Sequence, residues 1–295
     1  MPRAALLSIH ARVKDTEPST WEDPSLVQLW GPRYNVFVVA SRDLALFSLG
    51  IFPDAAKGRL RAEGIAARLN EFLGGARMGY GEVGRALGVH PNSLRYASPS
   101  GTVLIRWDGA RRPAVWTVPP PAVDPREARL ELVRRYLHIY GPATPDGFGW
   151  WSGIGTWRAT AAFDAIRRSL APVRTPSGDA WILARDEATL LGAPGPAAAA
   201  RLLPSGDAYL LFQGVDRELV VPVAARRRDL WTPRVWPGGV LVEGEVVGTW
   251  RRADATVTVR PWIRLSSAAR EAVEMEAEAL PLPDVRGRII VRWED

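Results

Sequence analysis

Residues 136–153, with the sequence YLHIYGPATPDGFGWWSG, constrain the fold more than any other stretch of the chain. Gly141 and Pro142 end one helix. Thr144 and Pro145 begin another, because a threonine side chain caps a helix and proline is favoured at the first helical position. Each glycine of the second helix lowers the stability of that helix by up to about 1 kcal/mol relative to alanine. The aromatic residues of the helix must therefore stabilise it by packing. The segment predicts a helix-turn-helix.

The size and composition of the chain exclude several classes of protein. Its 295 residues provide room for two or three small domains with a substantial core. The absence of cysteine excludes a disulfide framework, a thiolate zinc site and a cysteine nucleophile. The sequence contains no 18-residue apolar run, and its N-terminus does not resemble a signal peptide. We therefore expect a soluble, cytoplasmic protein that does not enter a membrane.

The chain is strongly basic, with a net charge of +6 and a pI near 10.1. Of its 38 lysines and arginines, only Lys14 and Lys57 are lysines. The planar guanidinium of arginine binds phosphates and guanine edges well, which indicates a nucleic-acid partner. A GC-rich genome encodes the same bias, so the positions of the arginines must decide between these explanations.

Two proline-rich segments divide the chain into three predicted modules. They are VPPPAVDP at 118–125 and GAPGPAAAA at 192–200. Consecutive prolines favour polyproline II and interrupt helices. We predict a first winged-helix module with the N-terminal segment at residues 1–120, a second winged-helix module at 121–195 and a β-rich C-terminal module at 196–295.

The first module has the element order of a winged helix. Residues 60–73 carry apolar side chains at helical spacing, and shorter helices are predicted at 80–89 and 90–97. Two apolar, β-branched runs, TVLIRW and PAVWTV, are joined by DGARRP, which predicts a β-hairpin. Three helices followed by a hairpin are typical of the winged-helix architecture.

A winged helix suggests which side chains meet DNA, because its third helix enters the major groove and its hairpin lies along the backbone or the minor groove. We expect Asn92, Ser93 and Arg95 on the third helix to contact bases or phosphates. Arg111 and Arg112 are expected on the tip of the hairpin. The alternative for each arginine is an ordinary solvated surface residue.

The second module repeats this order. Residues 125–141 predict a long helix, which runs into the helix-turn-helix described above. Residues 156–170 predict the third helix, and residues 171–185 predict a hairpin around an SGD turn. We expect DNA contacts from the exposed arginines of the third helix, Arg158, Arg167 and Arg168.

The third module is predicted to be rich in β-structure. Residues 201–223 and 240–262 alternate short apolar runs with turn residues. A helix is predicted at 266–280, with Ser267 as its cap, and GRIIVRW predicts a closing strand. The fold class is therefore α+β, with tandem winged-helix modules, each a helix-turn-helix plus a β-hairpin, and a β-rich C-terminal module.

Several segments resemble the AlkZ/YcaQ-type winged-helix DNA glycosylase family. The similarity is most specific in residues 136–153. RLLPSGDAYLL at 201–211 resembles the family's leucine-leucine-proline segment with a following aspartate, and VEGEVVGTWRR at 242–252 resembles a late strand pair. QLWGPRYNVFVVASRD at 28–43 resembles the family's arginine-led segment, with Arg33 at the matching position. The resemblance implies binding to duplex DNA and excision of alkylated bases or opening of crosslinks.

The chain departs from the family at the motif that the resemblance makes catalytic. In the family an early Gln-X-Gln or Gln-X-Asp motif positions a water at the sugar of the modified nucleotide. The matching segment here is LLSIHARV, so His10 and Arg12 replace those polar side chains. His10 suits a general base near neutral pH. A fixed cation at Arg12 opposes the positive charge that builds on the sugar, unless a phosphate neutralises it.

Other side chains offer alternatives for this chemistry. The acidic residues Asp15, Glu17, Glu22 and Asp23 follow the motif and are candidates for the missing carboxylate, with solvated loop acids as the alternative. Three tryptophans beside predicted basic positions are candidates for stacking on bases: Trp30, Trp107 and Trp116.

Two functions of different classes follow. The first is a monofunctional DNA glycosylase in which His10 positions water while Arg12 and Arg33 bind phosphates. The second is a non-catalytic DNA-binding protein, a damage recogniser or regulator, that keeps the scaffold. The sequence carries no glycine-rich phosphate loop, paired-carboxylate metal motif or nucleophile elbow, which disfavours a nuclease or phosphotransfer enzyme.

The remaining expectations concern ligands and assembly. His138 lies among apolar neighbours without a second histidine at metal-ligand spacing, so it is interpreted as structural and no zinc site is predicted. We expect no metal and no cofactor. The expected partner is double-stranded DNA, bound by a monomer.

Overall fold

The computed structural model describes residues 2–107, 113–193, 195, 197–211, 217–283, 285 and 287–294. Their contacts form two compact units, the first consisting chiefly of Asp23–Leu190 and the second of Arg3–Glu22 with Leu191–Asp295. The first helix, α1 (Pro2–His10), belongs to the second unit from Arg3 onward. None of the helices in the described ranges is long and apolar enough to cross a membrane. The division into three modules stays a prediction.

The first unit opens with two paired strands and a winged helix. Its elements are β1 (Leu26–Trp30), β2 (Val36–Ala40), α2 (Leu44–Leu49), α3 (Ala56–Leu73), β3 (Met78–Gly79), α4 (Tyr80–Ala86), a 3-10 helix (Pro91–Ser100), β4 (Val103–Arg106) and β5 (Ala114–Thr117). Strands β1 and β2 pair antiparallel, and the hairpin strands form a sheet of order β3-β5-β4. The predicted order of three helices and a hairpin is confirmed.

The third helix of this winged helix differs from the expected α-helix. It is a 3-10 helix, and Pro99 inside it lacks the backbone donor that an α-helical turn would use. Leu94 and Ala97 are fully buried and hold the helix against the core formed with α3 and β5. The helix is therefore fixed by packing on one side and presents its other side to solvent.

The second half of the first unit is also a winged helix. Its elements are α5 (Pro125–Tyr140), α6 (Pro145–Ser152), α7 (Thr156–Ala165), β6 (Leu170–Thr175), β7 (Gly178–Leu183) and α8 (Glu187–Leu191). The Thr144 hydroxyl accepts a hydrogen bond from the backbone N–H of Gly147 at 3.1 Å, which confirms the predicted cap. The predicted third helix is shorter than expected, because the chain leaves α7 at Ala165 and enters β6 by Leu170.

Aromatic packing stabilises the glycine-containing helix α6. The Tyr136 ring lies 5.2 Å from that of Phe148 and 5.1 Å from that of Trp151. Phe148 is fully buried and Trp151 nearly so, whereas Trp150 is exposed. The prediction that all three aromatic residues of α6 pack inward is wrong for Trp150. Ile139 of α5 is likewise exposed.

Gly149 permits the close approach of α6 to the turn that precedes α7. A Cβ at this position would lie 3.0 Å from the carbonyl carbon of Gly155. We expect Gly149→Ala to lower the free energy of unfolding by about 1–3 kcal/mol, although alanine is the better helix former. Gly64 in α3 is the matched control, because a Cβ there meets no described atom within 4 Å. Gly64→Ala should raise stability by up to about 1 kcal/mol in the same urea titration. Equal effects of the two substitutions would contradict this account.

The second unit combines a five-stranded sheet with one long helix. Its elements after α1 are β8 (Ala200–Leu203), α9 (Arg217–Val220), α10 (Ala224–Leu230), β9 (Gly238–Val242), β10 (Glu245–Ala253), β11 (Thr256–Pro261), α11 (Ser267–Glu278) and β12 (Ile290–Trp293). The sheet order is β12-β11-β10-β9-β8, and only the β11–β12 pair is parallel among the described strands. The predicted β-rich character is confirmed.

Helix α11 and helix α1 contribute to one core in this unit. Leu7 of α1 packs in the same buried cluster as Leu202, Val240 and Val273. Ser266, one residue before the predicted cap, begins α11 by accepting a hydrogen bond from the N–H of Ala269 at 3.2 Å. The N-terminal segment that carries His10 and Arg12 is therefore anchored on the β-rich sheet.

Candidate functional site

The C-terminal end of α1 carries both residues that replace the family's catalytic motif. His10 is the last residue of the helix, and the chain continues as a tight turn in which the N–H of Arg12 donates to the carbonyl of Ile9 at 2.9 Å. Leu6 and Leu7 are buried at 1% and 3% exposure. Because this buried pair fixes the helix, His10 and Arg12 are held at a defined position on the second unit.

Arg12 forms a bidentate ion pair with Asp207. Its Nη2 lies 2.7 Å from Oδ1 and its Nη1 lies 2.9 Å from Oδ2. Asp207 is completely buried, whereas the Arg12 side chain is 46% exposed. Two parallel N–H···O bonds between a guanidinium and a carboxylate are the strongest geometry for such a pair. Arg12 is therefore a charge-compensated anchor rather than an unpaired cation.

The remaining lone pairs of Asp207 are also occupied. Oδ2 accepts a hydrogen bond from the Ser8 hydroxyl at 2.6 Å, and Oδ1 accepts one from the backbone N–H of Tyr209 at 2.8 Å. A carboxylate offers about four acceptor positions, and here all four are used. Asp207 therefore has no lone pair left with which to bind or activate a water.

A second ion pair supports the residue between His10 and Arg12. Arg201 donates from Nε to the carbonyl of Ala11 at 3.2 Å and from Nη1 to Oε2 of Glu276 at 3.1 Å. Glu276 lies on α11, is largely buried, and also accepts from the backbone N–H of Leu202 at 3.3 Å. The turn after α1 is thus fixed by side chains from β8 and α11.

His10 is half-buried and bonded through one ring nitrogen. Its Nδ1 lies 2.6 Å from Oγ1 of Thr16. Among the described residues no group bonds its other ring nitrogen, Nε2. Burial lowers the pKa of His10 below its usual value of 6.5, and Arg201 lowers it further, while Glu276 opposes the shift. The imidazole is therefore neutral at physiological pH and has the protonation state of a base.

The acidic residues that follow the motif do not form a carboxylate site. Asp15, Glu17, Glu22 and Asp23 are all exposed. Hydrogen bonds from Ser25 lower the pKa of Asp23, so this carboxylate is ionised and solvated. Across the described ranges no cluster of three or more His, Asp or Glu side chains is arranged to hold a metal ion.

Arg33, in the first unit, is held in an unusual backbone conformation. Both Arg33 and Tyr34 adopt left-handed geometry, with φ of 55° and 57°. This region costs a non-glycine residue about 1–3 kcal/mol and often marks a functional constraint. Gly153, the last residue of the segment 136–153, approaches it so closely that a Cβ would lie 3.2 Å from Cγ of Arg33. The two segments that resemble the family thus contact each other, and the Arg33 side chain remains exposed.

Two tyrosines and two arginines form a cluster on the first winged helix. The rings of Tyr34 and Tyr96 meet edge to face at 4.9 Å between centroids. The guanidinium of Arg61 lies 3.5 Å from the Tyr96 centroid, and that of Arg95 lies 5.2 Å from it. The hydrogen bond from Arg95 lowers the pKa of Tyr96, whereas burial raises that of Tyr34. We call these four residues the tyrosine–arginine cluster.

The other candidates on the third helix of this module lie beside the cluster. Asn92 is exposed and its Oδ1 accepts a hydrogen bond from the Tyr80 hydroxyl. Ser93 is half-buried, and its backbone N–H donates to the carbonyl of His90 at 2.8 Å. Asn92 is therefore the most accessible of the three candidates, and Arg95 is half-buried like Ser93.

In the second winged helix, Arg158 is committed to an internal ion pair. Its Nε lies 3.1 Å from Oδ2 of Asp54, and its Nη1 donates to the carbonyl of Ile154 at 3.1 Å. The largely buried Arg129 of α5 binds the same carboxylate at 2.9 Å. Because one aspartate connects α5 and α7, Arg158 has a structural role in the first unit.

Arg167 and Arg168 are exposed after α7. The guanidinium of Arg167 stacks 3.7 Å from the centroid of the Trp181 ring. Arg111 and Arg112, on the predicted tip of the first hairpin, lie outside the described residues. Their assignment to DNA contacts stays a prediction, as does that of the other arginines.

The three candidate tryptophans and His138 have environments that limit their roles. Trp30 is buried at 5% exposure and belongs to the core, so its faces are not available for stacking on a base. His138 is exposed and its Nδ1 lies 2.9 Å from Oδ2 of Asp186. Trp107 and Trp116 are half-buried, and Arg77 covers the Trp116 ring at 4.5 Å.

Sequence reasoning missed several residues of these two regions. Asp207 was part of the segment that resembles the family, but its pairing with Arg12 spans 195 positions and has no local signal. Arg61 was assigned only to a helix, and the tyrosines carried no signal beyond their proximity to arginines in the sequence. Tertiary contacts determine which acidic or aromatic side chain pairs with an arginine. The spacing of residues along one helix does not indicate those contacts.

Comparisons with known proteins agree on one family. A family model described as DNA glycosylase AlkZ-like matches residues 1–281. An interstrand DNA cross-link repair glycosylase from Streptomyces sahachiroi is 30% identical over 173 residues, which is 57% of this chain and 46% of that protein. The chain therefore aligns with about half the length of this curated relative. The structure of Streptomyces sahachiroi DNA glycosylase AlkZ superposes with a TM-score of 0.79 at 20% identity, covering 99% of this chain and 89% of the other, which confirms the predicted tandem winged-helix fold.

Proposed function

The chain belongs to the AlkZ-like DNA glycosylase family, and on this premise we propose that it is a monofunctional DNA glycosylase. It binds duplex DNA and hydrolyses the N-glycosidic bond of alkylated or bulky purine adducts, including those that link the two strands. A neutral, partly exposed His10 at the position of the family's catalytic motif supports the hydrolytic step most directly. The name of the curated relative, a cross-link repair glycosylase, supports this substrate class.

The reaction needs little activation of the leaving group. A purine alkylated at N7 or N3 carries positive charge, so breaking the N-glycosidic bond returns the bonding electrons to the base and neutralises it. The sugar develops oxocarbenium character as the bond lengthens. A water then adds to C1′, and Nε2 of His10 accepts the proton that this water loses. The products are an abasic site and the excised base, which is free for a single-strand adduct and stays attached to the opposite strand for an interstrand crosslink.

Arg12 takes a positioning role in this proposal. An unpaired cation beside the sugar would raise the energy of an oxocarbenium-like transition state. The bidentate pair with Asp207 compensates the charge, so the two residues together present no net charge. Arg12 then holds the turn after α1, and thereby His10, rather than binding a phosphate.

The protonation state of His10 sets the pH dependence. A base is active only when neutral, so excision by the wild type should fall as the pH drops through the pKa of His10 and should be constant above it. Because burial lowers that pKa, we expect the midpoint below 6.5. Single-turnover rates between pH 5 and pH 8 measure this profile. A midpoint well above 6.5, or no dependence on pH, would be incompatible with His10 as the base.

The proposal is tested by incubating the protein with duplexes that carry N7-methylguanine, a bulky N7-alkylguanine or an N7–N7 interstrand crosslink. Release of the free base from the first two duplexes is measured by mass spectrometry, and release of one strand from the crosslinked duplex by denaturing gel electrophoresis. Release from at least one of these duplexes is the expected result. The undamaged duplex of the same sequence is the control, and it should lose no base.

The alternative function is a DNA-binding protein without excision activity. One observation favours it: the position that the family fills with an amide or a carboxylate is occupied by Arg12, whose guanidinium is bound by Asp207. In that case the protein would bind damaged duplexes but release no base. The same incubation distinguishes the two functions when binding is measured alongside release.

A further inference from the structure

Arg61 and Arg95 approach the same ring in the first unit. Arg61 comes from α3, and Arg95 comes from the 3-10 helix that follows α4. We propose that these two arginines, both held against the Tyr34–Tyr96 pair, form a binding site for backbone phosphates of duplex DNA. The proposal rests on the proposed function, because that function makes DNA the ligand of the winged helix.

Stacking positions a guanidinium without using its donors. The guanidinium carbon of Arg61 lies over the Tyr96 ring, 3.5 Å from its centroid. The N–H groups of a guanidinium lie in its plane and point outwards from its edge. An arginine held flat on a tyrosine therefore keeps its fork of donors for a phosphate and loses less side-chain freedom when it binds one.

The local charge of the cluster is uncompensated within the described part of the chain. Arg61 and Arg95 form no ion pair there, unlike Arg12, Arg129 and Arg158, which all contact carboxylates. Arg33 precedes Tyr34, is exposed, and likewise has no acidic partner among the described residues. Two neighbouring cations without a carboxylate attract an anion, and the phosphodiester is the anion that DNA presents at regular spacing.

The backbone holds this arrangement in place. Tyr34 is fixed by the left-handed pair that it forms with Arg33, and Tyr96 lies between the buried residues Leu94 and Ala97. Arg95 additionally donates from Nη2 to the Tyr96 hydroxyl at 3.3 Å. The aromatic pair is therefore held in place, and Arg95 and Tyr96 lie on the helix that a winged helix inserts into the groove.

The site is tested by the salt dependence of binding to an undamaged duplex, measured by fluorescence anisotropy between about 50 and 300 mM NaCl, a range of about sixfold in ionic strength. Arg61→Ala should reduce the slope of log K against log [salt] by about one, and the double variant with Arg95→Ala by about two. Arg59→Ala is the matched control. It removes the same charge from the same helix, but two residues along an α-helix point about 200° apart, so its slope should stay at the wild-type value.

Tyr96→Leu tests the contribution of the aromatic ring to DNA affinity separately from that of the arginine charges. This variant keeps every arginine, so an effect of net charge alone predicts unchanged affinity. We expect a loss of about threefold or more, because the guanidiniums lose their support. Circular dichroism and the melting temperature verify that the variant is folded.

The outcomes separate this site from the proposed function. A wild-type slope for Arg61→Ala, or an equal loss of slope for Arg59→Ala, overturns the phosphate site even when the wild type releases base. A reduced slope for Arg61→Ala supports the site even when the wild type releases no base, in which case only the glycosylase activity is refuted.

Discussion

His10→Ala should lower the single-turnover rate of base release by about 10²–10⁴-fold while leaving the affinity for duplex DNA unchanged. This is the usual contribution of a positioned general base. The half-buried ring is bonded through Nδ1 to Thr16, which leaves Nε2 for the water. The rate is measured with enzyme in excess over an N7-alkylguanine duplex, so that product release does not limit it.

Two variants make this prediction specific. His10→Gln restores the amide type that the family motif carries, so it should retain a larger part of the rate than alanine, although without the pH dependence of a histidine. His138→Ala removes an exposed histidine that pairs with Asp186 in the other unit, and it should leave the rate unchanged. Equal rates for wild type and His10→Ala would refute the role of His10.

Arg12→Ala should lower the free energy of unfolding of the second unit by about 3 kcal/mol. The substitution leaves the fully buried carboxylate of Asp207 with only the Ser8 hydroxyl and the Tyr209 N–H as partners. A buried charge without its counter-ion is strongly destabilising. The measurement is denaturation in guanidinium chloride, followed by tryptophan fluorescence.

Two further variants test the cause of this loss. Adding Asp207→Asn to Arg12→Ala removes the buried charge, so the double variant should be more stable than Arg12→Ala alone. Arg288→Ala breaks an exposed ion pair with Glu278 in the same unit and should cost less than about 1 kcal/mol. A double variant less stable than Arg12→Ala would contradict the assignment of the loss to an uncompensated carboxylate.

Local sequence rules predicted most elements of the fold, because the signals lie within a few residues of the structures that they determine. Thr144 and Pro145 begin α6, and the apolar runs around residues 103–106 and 114–117 form a hairpin. The errors also have local causes. Pro99 interrupts the backbone hydrogen bonding of residues 91–100, which form a 3-10 helix, and α7 ends early because the chain turns into β6.

The candidate site was predictable only in part. The alignment of residues 6–13 with a family motif located His10 and Arg12, but composition and periodicity do not report that α1 packs on the C-terminal sheet. The partner of Arg12 lies 195 positions away in the sequence. Arg158 forms an ion pair with Asp54, which lies more than 100 positions earlier in the chain. An arginine that binds DNA and one that binds a carboxylate have the same appearance in the sequence.

The central claim is that this chain hydrolyses the N-glycosidic bond of a damaged purine. The most direct measurement counts abasic sites with an aldehyde-reactive probe after incubation with the methylated, bulky and crosslinked duplexes, at a protein concentration that binds all the DNA. We expect abasic sites at the lesion in at least one duplex, formed at equal rates by wild type and His138→Ala and at least about 10²-fold more slowly by His10→Ala. Complete binding of all three duplexes without abasic sites would contradict it.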